Sequence, residues 1–164
     1  MPNSTIGTYV NDHLAMATSE IELLRRCADE NERSDLAEFL TDVANTVETQ
    51  ASEMRQLLES QGQNENSIKQ AAAWLVEKLG RAKPNDGGTG YTDLARVIEL
   101  EALIGLAEAR RLLWQSVNRM HLSESCLSDS LRFAREATDQ LESLRDHHQQ
   151  AVGTAFSTQT GATT

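Results

Sequence analysis

The stretch from Tyr91 to Met120 limits what this chain can fold into more than any other part of the sequence. Its apolar residues recur at spacings of three and four, which predicts a long α-helix. They also cover more than one narrow stripe, and a helix that is apolar around much of its circumference is usually buried against several neighbours. We therefore expect this segment to be the central helix of a helical bundle.

Two carboxylates interrupt the apolar run of this central helix. Glu101 and Glu108 are two turns apart and therefore share one face. Because a buried carboxylate is unfavourable without a partner, Arg110, Arg111 and Arg145 are candidate partners for them. We interpret the two glutamates as paired interior carboxylates, and the alternative is a degenerate metal or acid/base site.

The rest of the chain repeats the helical pattern. Helix-forming residues dominate, there are two prolines, and extended runs of β-branched and aromatic residues are missing. Apolar periodicity and cap residues predict helices over about 5–31, 35–60, 92–121 and 123–152, with a shorter helix in SIKQAAAWLVEKLGRAK. We expect one helical domain over 1–152 and a disordered polar tail over 153–164.

The lengths of the connections predict the topology. Short turns make one hairpin of the first two long helices and another of the last two. About 30 residues join the hairpins, enough to cross from one end of the bundle to the other. Such a crossover places Cys27 and Cys126 at opposite ends, too far apart for a disulfide, whereas a bundle without it places them at the same end.

Charge and hydropathy exclude several classes of protein. The net charge of −10 argues against binding to nucleic acid or to an anionic membrane, because both require a basic face. The sequence has no run of about 18 apolar residues and no basic leader followed by an apolar segment. We therefore expect a cytoplasmic protein in which the two scattered cysteines are free core thiols.

The sequence resembles the ferritin-like superfamily and is most similar to the small bacterial relatives of rubrerythrin and bacterioferritin. The resemblance covers about residues 5–152 and depends on three segments, VETQASEMRQLLESQG, YTDLARVIELEALIGLAEARRLLW and DQLESLRDHH. It implies an all-α fold, an antiparallel four-helix bundle of two hairpins joined by a long crossover that contains a short fifth helix. It also implies two metal ions, held by a Glu on one helix of each hairpin and a Glu-x-x-His on the other.

The residues that would hold those metals match only in part. Glu20 and Glu101 match the single glutamates of the two hairpins. The Glu-x-x-His positions are Glu48-Thr49-Gln50-Ala51 in the second helix and Glu142-Ser143-Leu144-Arg145 in the last, so both imidazoles are missing. Arg145 would more naturally pair with Glu101 than accompany a metal cation.

These observations favour a non-enzymatic bundle without a cofactor, acting as an interaction or self-assembly module in a homo-oligomer or with a protein partner. Apolar residues of the short crossover helix, including Trp74, are the predicted partner face. The alternative hypothesis is a di-iron-type metal-binding or iron-oxidising protein whose carboxylate-rich site uses Glu20, Glu101 and Glu108. If Arg145 neutralises a buried Glu101, Arg145→Ala is expected to be strongly destabilising.

Overall fold

The computed structural model describes residues 4–63, 90–120, 122 and 124–157, and only the backbone of 124–128. These residues form four α-helices and no strand, namely α1 (Thr5–Glu30), α2 (Asp35–Ser60), α3 (Asp93–Val117) and α4 (Glu124–Phe156). The prediction of an all-helical fold is confirmed for these residues, and the helix limits lie close to the predicted ones. The predicted short helix, including Trp74, lies outside the described residues.

The helices begin and end at residues that satisfy backbone groups locally. Ser4, Ser34 and Thr92 precede α1, α2 and α3, and each hydroxyl accepts a backbone N–H from three residues further on, at 2.9, 3.2 and 3.0 Å. After α2 the chain turns at Gly62, whose φ of +68° is readily adopted by glycine. The caps at Ser34 and Thr92 and the stop at Gly62 were all predictable from sequence.

Contacts along α1 fix the direction of α3. Neighbouring helices α1 and α2 pack together, as do α3 and α4. Near the start of α1 the Tyr9 hydroxyl donates to Ser116 Oγ, and near its end Arg26 donates to Glu99. Low residue numbers on α1 therefore meet high ones on α3, so these two helices are antiparallel.

Contacts along α2 fix the direction of α4 in the same way. The ring of Phe39 stacks on that of His147 with centroids 5.0 Å apart. Further along α2, Gln50 Nε2 donates to Glu136 Oε2 at 3.1 Å. The helices α2 and α4 are thus antiparallel as well.

As a result, α2 ends and α3 begins at opposite ends of the bundle. Gln63 donates to Ser4 Oγ beside the start of α1, whereas Tyr91 accepts from Asn31 beyond the end of α1. These points are about 40 Å apart, the length of α1, which is consistent with the predicted crossover connection. The start of α4 lies at the opposite end from Cys27, as predicted, although the Cys126 side chain is outside the described residues.

The last helix is longer than the sequence pattern indicated. We expected it to end near Val152, but α4 runs to Phe156. Ala151 is buried and Ala155 packs against the core, so the apolar spacing of four continues past Gly153. Residues 158–164 of the predicted tail lie outside the described residues.

The core between the helices is mainly aliphatic, with Trp114 and Phe133 in contact at 4.7 Å between ring centroids. None of the described helices is long and apolar enough to cross a membrane. A few polar side chains are buried within this core, and they define the candidate site. They are Ser19, Glu20, Asn31, Gln50, Glu99, Arg110 and Ser130.

Candidate functional site

A buried ion pair between Glu20 of α1 and Arg110 of α3 lies at the centre of the bundle. The Glu20 side chain is 1% exposed and that of Arg110 is 2% exposed. Arg110 Nε donates to Glu20 Oε2 at 3.0 Å and Nη2 donates to Oε1 at 3.1 Å, which is a bidentate geometry. Both carboxylate oxygens are therefore engaged by one guanidinium group.

The other two helices complete the surroundings of Arg110. On α2, the fully buried Gln50 accepts from Arg110 Nη1 at 3.1 Å through Oε1. On α4, Gln140 Oε1 accepts from Arg110 Nη2 at 2.8 Å. The hydrogen bonds of the Arg110 guanidinium group thus involve one side chain from each of the four helices.

Gln50 connects the ion pair to two further side chains. Its Oε1 also accepts from the indole Nε1 of Trp114 at 2.8 Å, while its Nε2 donates to Glu136. We call the set formed by all these residues the central polar network. Its members are Glu20, Gln50, Arg110, Trp114, Glu136 and Gln140.

The central polar network is satisfied rather than reactive. A guanidinium group stays protonated at any physiological pH and accepts no hydrogen bond, so Arg110 cannot act as a general base. The two oxygens of Glu20 already accept charge-assisted hydrogen bonds. Among the described residues, no buried side-chain nitrogen or oxygen lacks a partner. This geometry suits a set of hydrogen bonds that joins four helices better than it suits a catalytic centre.

The structure corrects the prediction that Glu101 and Glu108 are interior carboxylates. The Glu101 side chain is 55% exposed and contacts His148 Nε2 at 3.2 Å. Glu108 is 36% exposed and pairs with Arg111, one of its candidate partners, and this pairing lowers the pKa of Glu108. Both glutamates lie on the outer side of α3, because Arg110 and the buried leucines three, four and seven positions from it occupy the side that faces the core.

The three residues predicted for a metal site are therefore not brought together. Glu20 is bonded to Arg110 in the core, whereas Glu101 and Glu108 have separate partners at the surface. Among the residues that the structure describes, no group of three or more His, Cys, Asp or Glu side chains is placed to hold a metal ion. The predicted pairing of Arg145 with Glu101 is also wrong, because His148 occupies that position and Arg145 is exposed.

Arg145→Ala should consequently have little effect on stability. We expect the free energy of unfolding to change by less than about 0.5 kcal/mol, as is usual for exposed side chains outside special features. Urea denaturation of the variant and the unsubstituted chain measures this difference. A loss of several kcal/mol would instead indicate that Arg145 neutralises a buried charge.

A second polar cluster lies where α1 ends and α3 begins. The buried Glu99 accepts from Arg26 at 2.7 Å and from the Tyr91 hydroxyl at 2.8 Å. Asn31 Nδ2 donates to the same hydroxyl at 3.2 Å, and the Cys27 Sγ lies 3.7 Å from it. This cluster joins the segment before α3 to the end of α1.

The environment of Cys27 makes its thiol a poor nucleophile. Burial raises the pKa of Cys27 to about 12, and the negative charge of Glu99 acts in the same direction. The pKa of Tyr91 is also raised, first by burial and then by its contacts with Cys27 and Glu99. Cys27 is thus a protonated core thiol, as predicted from sequence.

Cys27 should therefore resist alkylation in the folded protein. Since the thiolate is the reactive form, a pKa of about 12 leaves roughly one thiol in ten thousand ionised at pH 8. We expect iodoacetamide to modify Cys27 far more slowly in buffer than in urea, as measured by mass spectrometry of its peptide. Equal rates would contradict the burial of this thiol.

A surface pocket of about 500 Å³ lies beside the turn between α1 and α2, and none of its lining residues belongs to either cluster. Its lining includes Ala28, Ala37, Arg33 and several acidic side chains. Arg33, in the same turn, has a φ of +62°. The acidic lining favours cations by charge alone.

No family model matches the sequence, and neither curated proteins nor solved structures provide a match. The functional conclusion therefore depends on the helix order and on the central polar network.

Proposed function

We propose that this chain is a ferritin-like bundle that acts as a non-enzymatic interaction or self-assembly module. The order of the helices supports this proposal. The pairs α1/α3 and α2/α4 are antiparallel, and α2 ends at the opposite end of the bundle from the start of α3. Two hairpins joined by one long connection have this arrangement in ferritin-like proteins.

The observation that carries the proposal is the position of Arg110 among inward-facing side chains of all four helices. In ferritin-like metalloproteins such a layer supplies carboxylates and imidazoles to two cations. Here the corresponding layer consists of Glu20, Gln50, Arg110 and Gln140. This donor set does not fit a pair of metal ions, because it contains one carboxylate and a permanent cation that donates to it. Arg110 occupies the centre as a fixed positive charge.

Iron loading tests the proposal. The full chain is mixed with ferrous iron in air, and bound iron and the rate of oxidation are measured against buffer alone. We expect no stoichiometric tight binding and no acceleration of oxidation, because Arg110 already engages both Glu20 oxygens.

The alternative iron protein predicts the opposite result and a specific set of sensitive residues. Stoichiometric iron with rapid oxidation would overturn the proposal, especially if Glu101→Gln and Glu108→Gln abolish both. Because these glutamates are partly exposed, the variants should remain folded. Glu59→Gln, at an exposed position on α2 outside the positions that the resemblance assigns to metal ligands, is the matched control.

A further inference from the structure

The residues on either side of 64–89 touch opposite ends of α1. Gln63, just after α2, lies so close to Gly7 that a Cβ on residue 7 would clash with its side-chain amide. Tyr91, just before α3, has its hydroxyl 3.7 Å from Cys27 Sγ near the end of α1. Residues 64–89, which we call the crossover segment, therefore join one end of α1 to the other.

A row of residues with low exposure runs along α1 between the same two points. It takes every fourth position, and none of its members is exposed. We call this set the α1 row, and it consists of Gly7, Asn11, Ala15, Ser19, Leu23, Cys27 and Asn31. Because four residues advance the helix by about 40° beyond one full turn, the row winds around α1 from the end of α2 to the start of α3. Its first four side chains are short, which leaves a shallow groove along the row.

The middle of the α1 row is buried on the side of α1 that faces away from the bundle. Ser19 is 2% exposed, yet it lies about 180° around the helix from the core residues Val10 and Ala28. Among the described helices, only α2 and α3 pack on α1. Arg25, which meets α2, and Glu20, which meets α3, lie about 120° and 100° from Ser19 in opposite directions. The burial of Ser19 therefore requires a cover that neither helix provides.

Exposed residues on the same side show that this cover crosses α1 diagonally. Asp12 and Arg26 lie two turns before and after Ser19 on that side, and both are exposed. A helix that lay straight along this side would bury all three positions. The α1 row passes through Ser19 but winds away from Asp12 and Arg26, so an occupant of the row leaves these two residues in solvent.

We propose that the α1 row is the docking surface for the crossover segment of the same chain. The residues that flank the segment already lie on the row, at Gly7 and at Cys27. The row from Gly7 to Asn31 is about 36 Å long at 1.5 Å per residue. A helix over 67–83 spans about 25 Å of this distance, and the other residues of the segment, at up to about 3.3 Å each, span the rest.

The sequence of the crossover segment also contains an apolar stripe that suits the α1 row. At 100° per residue its members lie within about 60° of one another, and they are Ile68, Ala72, Leu75 and Leu79. Docking on α1 removes this stripe from water without a second protein. Trp74 lies about 130° from the centre of the stripe. The inference thus goes beyond the proposed function, since it assigns the stripe to the chain itself and leaves Trp74 for a protein partner.

Thiol labelling tests whether the crossover segment covers the α1 row. In the full chain, Ser19→Cys should react with iodoacetamide at least about 100-fold more slowly than Glu22→Cys, at an exposed position on α1. Leu75→Glu should raise the rate at Ser19→Cys at least about 10-fold, because a charge in the stripe disfavours docking. Trp74→Glu is the matched control and should leave that rate unchanged. Mass spectrometry of the labelled peptide measures each rate.

Three outcomes of the labelling would overturn the inference. They are equal rates at Ser19→Cys and Glu22→Cys, a rate at Ser19→Cys that Leu75→Glu leaves unchanged, and an equal rise with Trp74→Glu. Slow labelling of Cys27 in the same samples should show that the bundle remains folded. None of these outcomes involves iron, so a failure here leaves the test of the proposed function unaffected.

A disulfide tests the path of the crossover segment without disrupting its contact with α1. Ser19→Cys should form an intramolecular bond with Ala72→Cys or with Leu75→Cys on mild oxidation, because the middles of the row and of the segment then lie together, with Cα atoms within about 7 Å. Leu75→Cys combined with Asp139→Cys, at an exposed position on α4, is the control and should remain reduced. A bond to Asp139→Cys, or none to Ser19→Cys from either position, would overturn the inference.

Discussion

Arg110→Ala is expected to lower the free energy of unfolding by about 3–5 kcal/mol, because it leaves Glu20 as an unpaired buried charge. Both partners are almost completely buried, so water cannot replace the lost hydrogen bonds without opening the core. For a chain of this size, such a loss corresponds to a fall in Tm of about 6–20 °C. Urea and thermal denaturation followed by circular dichroism measure it.

Arg111→Ala is the matched control for this variant. Arg111 is the next residue, but its side chain is 23% exposed and its partner Glu108 is 36% exposed. A surface ion pair contributes only about 0–1 kcal/mol, so the control should be nearly neutral. Equal effects of the two substitutions would show that the central ion pair has no special role.

A double variant separates the ion pair from simple packing. Replacing Glu20 by Leu together with Arg110 by Met removes both charges and retains apolar volume. Since replacing a buried pair by apolar residues is often close to neutral, the double variant should recover most of the stability that Arg110→Ala loses. If the double variant loses as much stability as Glu20→Leu and Arg110→Met lose when made separately and added together, the two side chains do not interact.

Gln50→Leu is expected to cost about 2–4 kcal/mol, because two buried donors lose their shared acceptor. These donors are Trp114 Nε1 and Arg110 Nη1, which lie 2.8 and 3.1 Å from Gln50 Oε1. Leucine has a similar volume, so packing changes little. Urea denaturation measures the loss, and tryptophan fluorescence should report the altered environment of Trp114.

Gln140→Leu provides the comparison for Gln50→Leu. Gln140 accepts one hydrogen bond from Arg110 but is partly exposed, so water can take its place. We expect a change below about 1 kcal/mol. Similar losses at positions 50 and 140 would contradict the burial argument.

Much of the fold could be predicted from sequence because helix caps and apolar spacing are local signals. Ser34 and Thr92 are residue types that favour the start of a helix and Gly62 one that favours its end, and each lies at such a position. The direction of each helix followed from the lengths of the connections, which limit where the next helix can begin. The end of α4 was set too early because residues 153–164 were interpreted as a disordered polar tail, whereas the contact of Ala155 with the core extends the helix.

The candidate site was predictable only in part. Glu20 was predicted only as a candidate metal ligand, and Arg110 only as a candidate partner of Glu101 and Glu108, so the pairing of Glu20 with Arg110 was not predicted. Leu94 and Leu112 made the outer side of α3 resemble a core-facing side, and Glu101 and Glu108 lie on that same side.

The better sequence signal was the row of leucines around Arg110. Leu103, Leu106 and Leu113 lie three, four or seven positions from Arg110, and all three are buried. Gln50 has the same relation to Val43, Val47 and Met54 on α2. Which of these interior polar groups would meet across the bundle depends on the relative heights of the helices, and the spacing within one helix contains no such information.

Because one guanidinium group forms hydrogen bonds that join all four helices, it affects how the protein unfolds. Separating the hairpin of α1 and α2 from that of α3 and α4 would split the bonds of Arg110 to Glu20 and Gln50 and leave charges on both newly formed surfaces. A partly unfolded state with only one intact hairpin is therefore strongly disfavoured. We expect the slowest-exchanging amides of all four helices to exchange with a common free energy, so that the bundle unfolds as one cooperative unit.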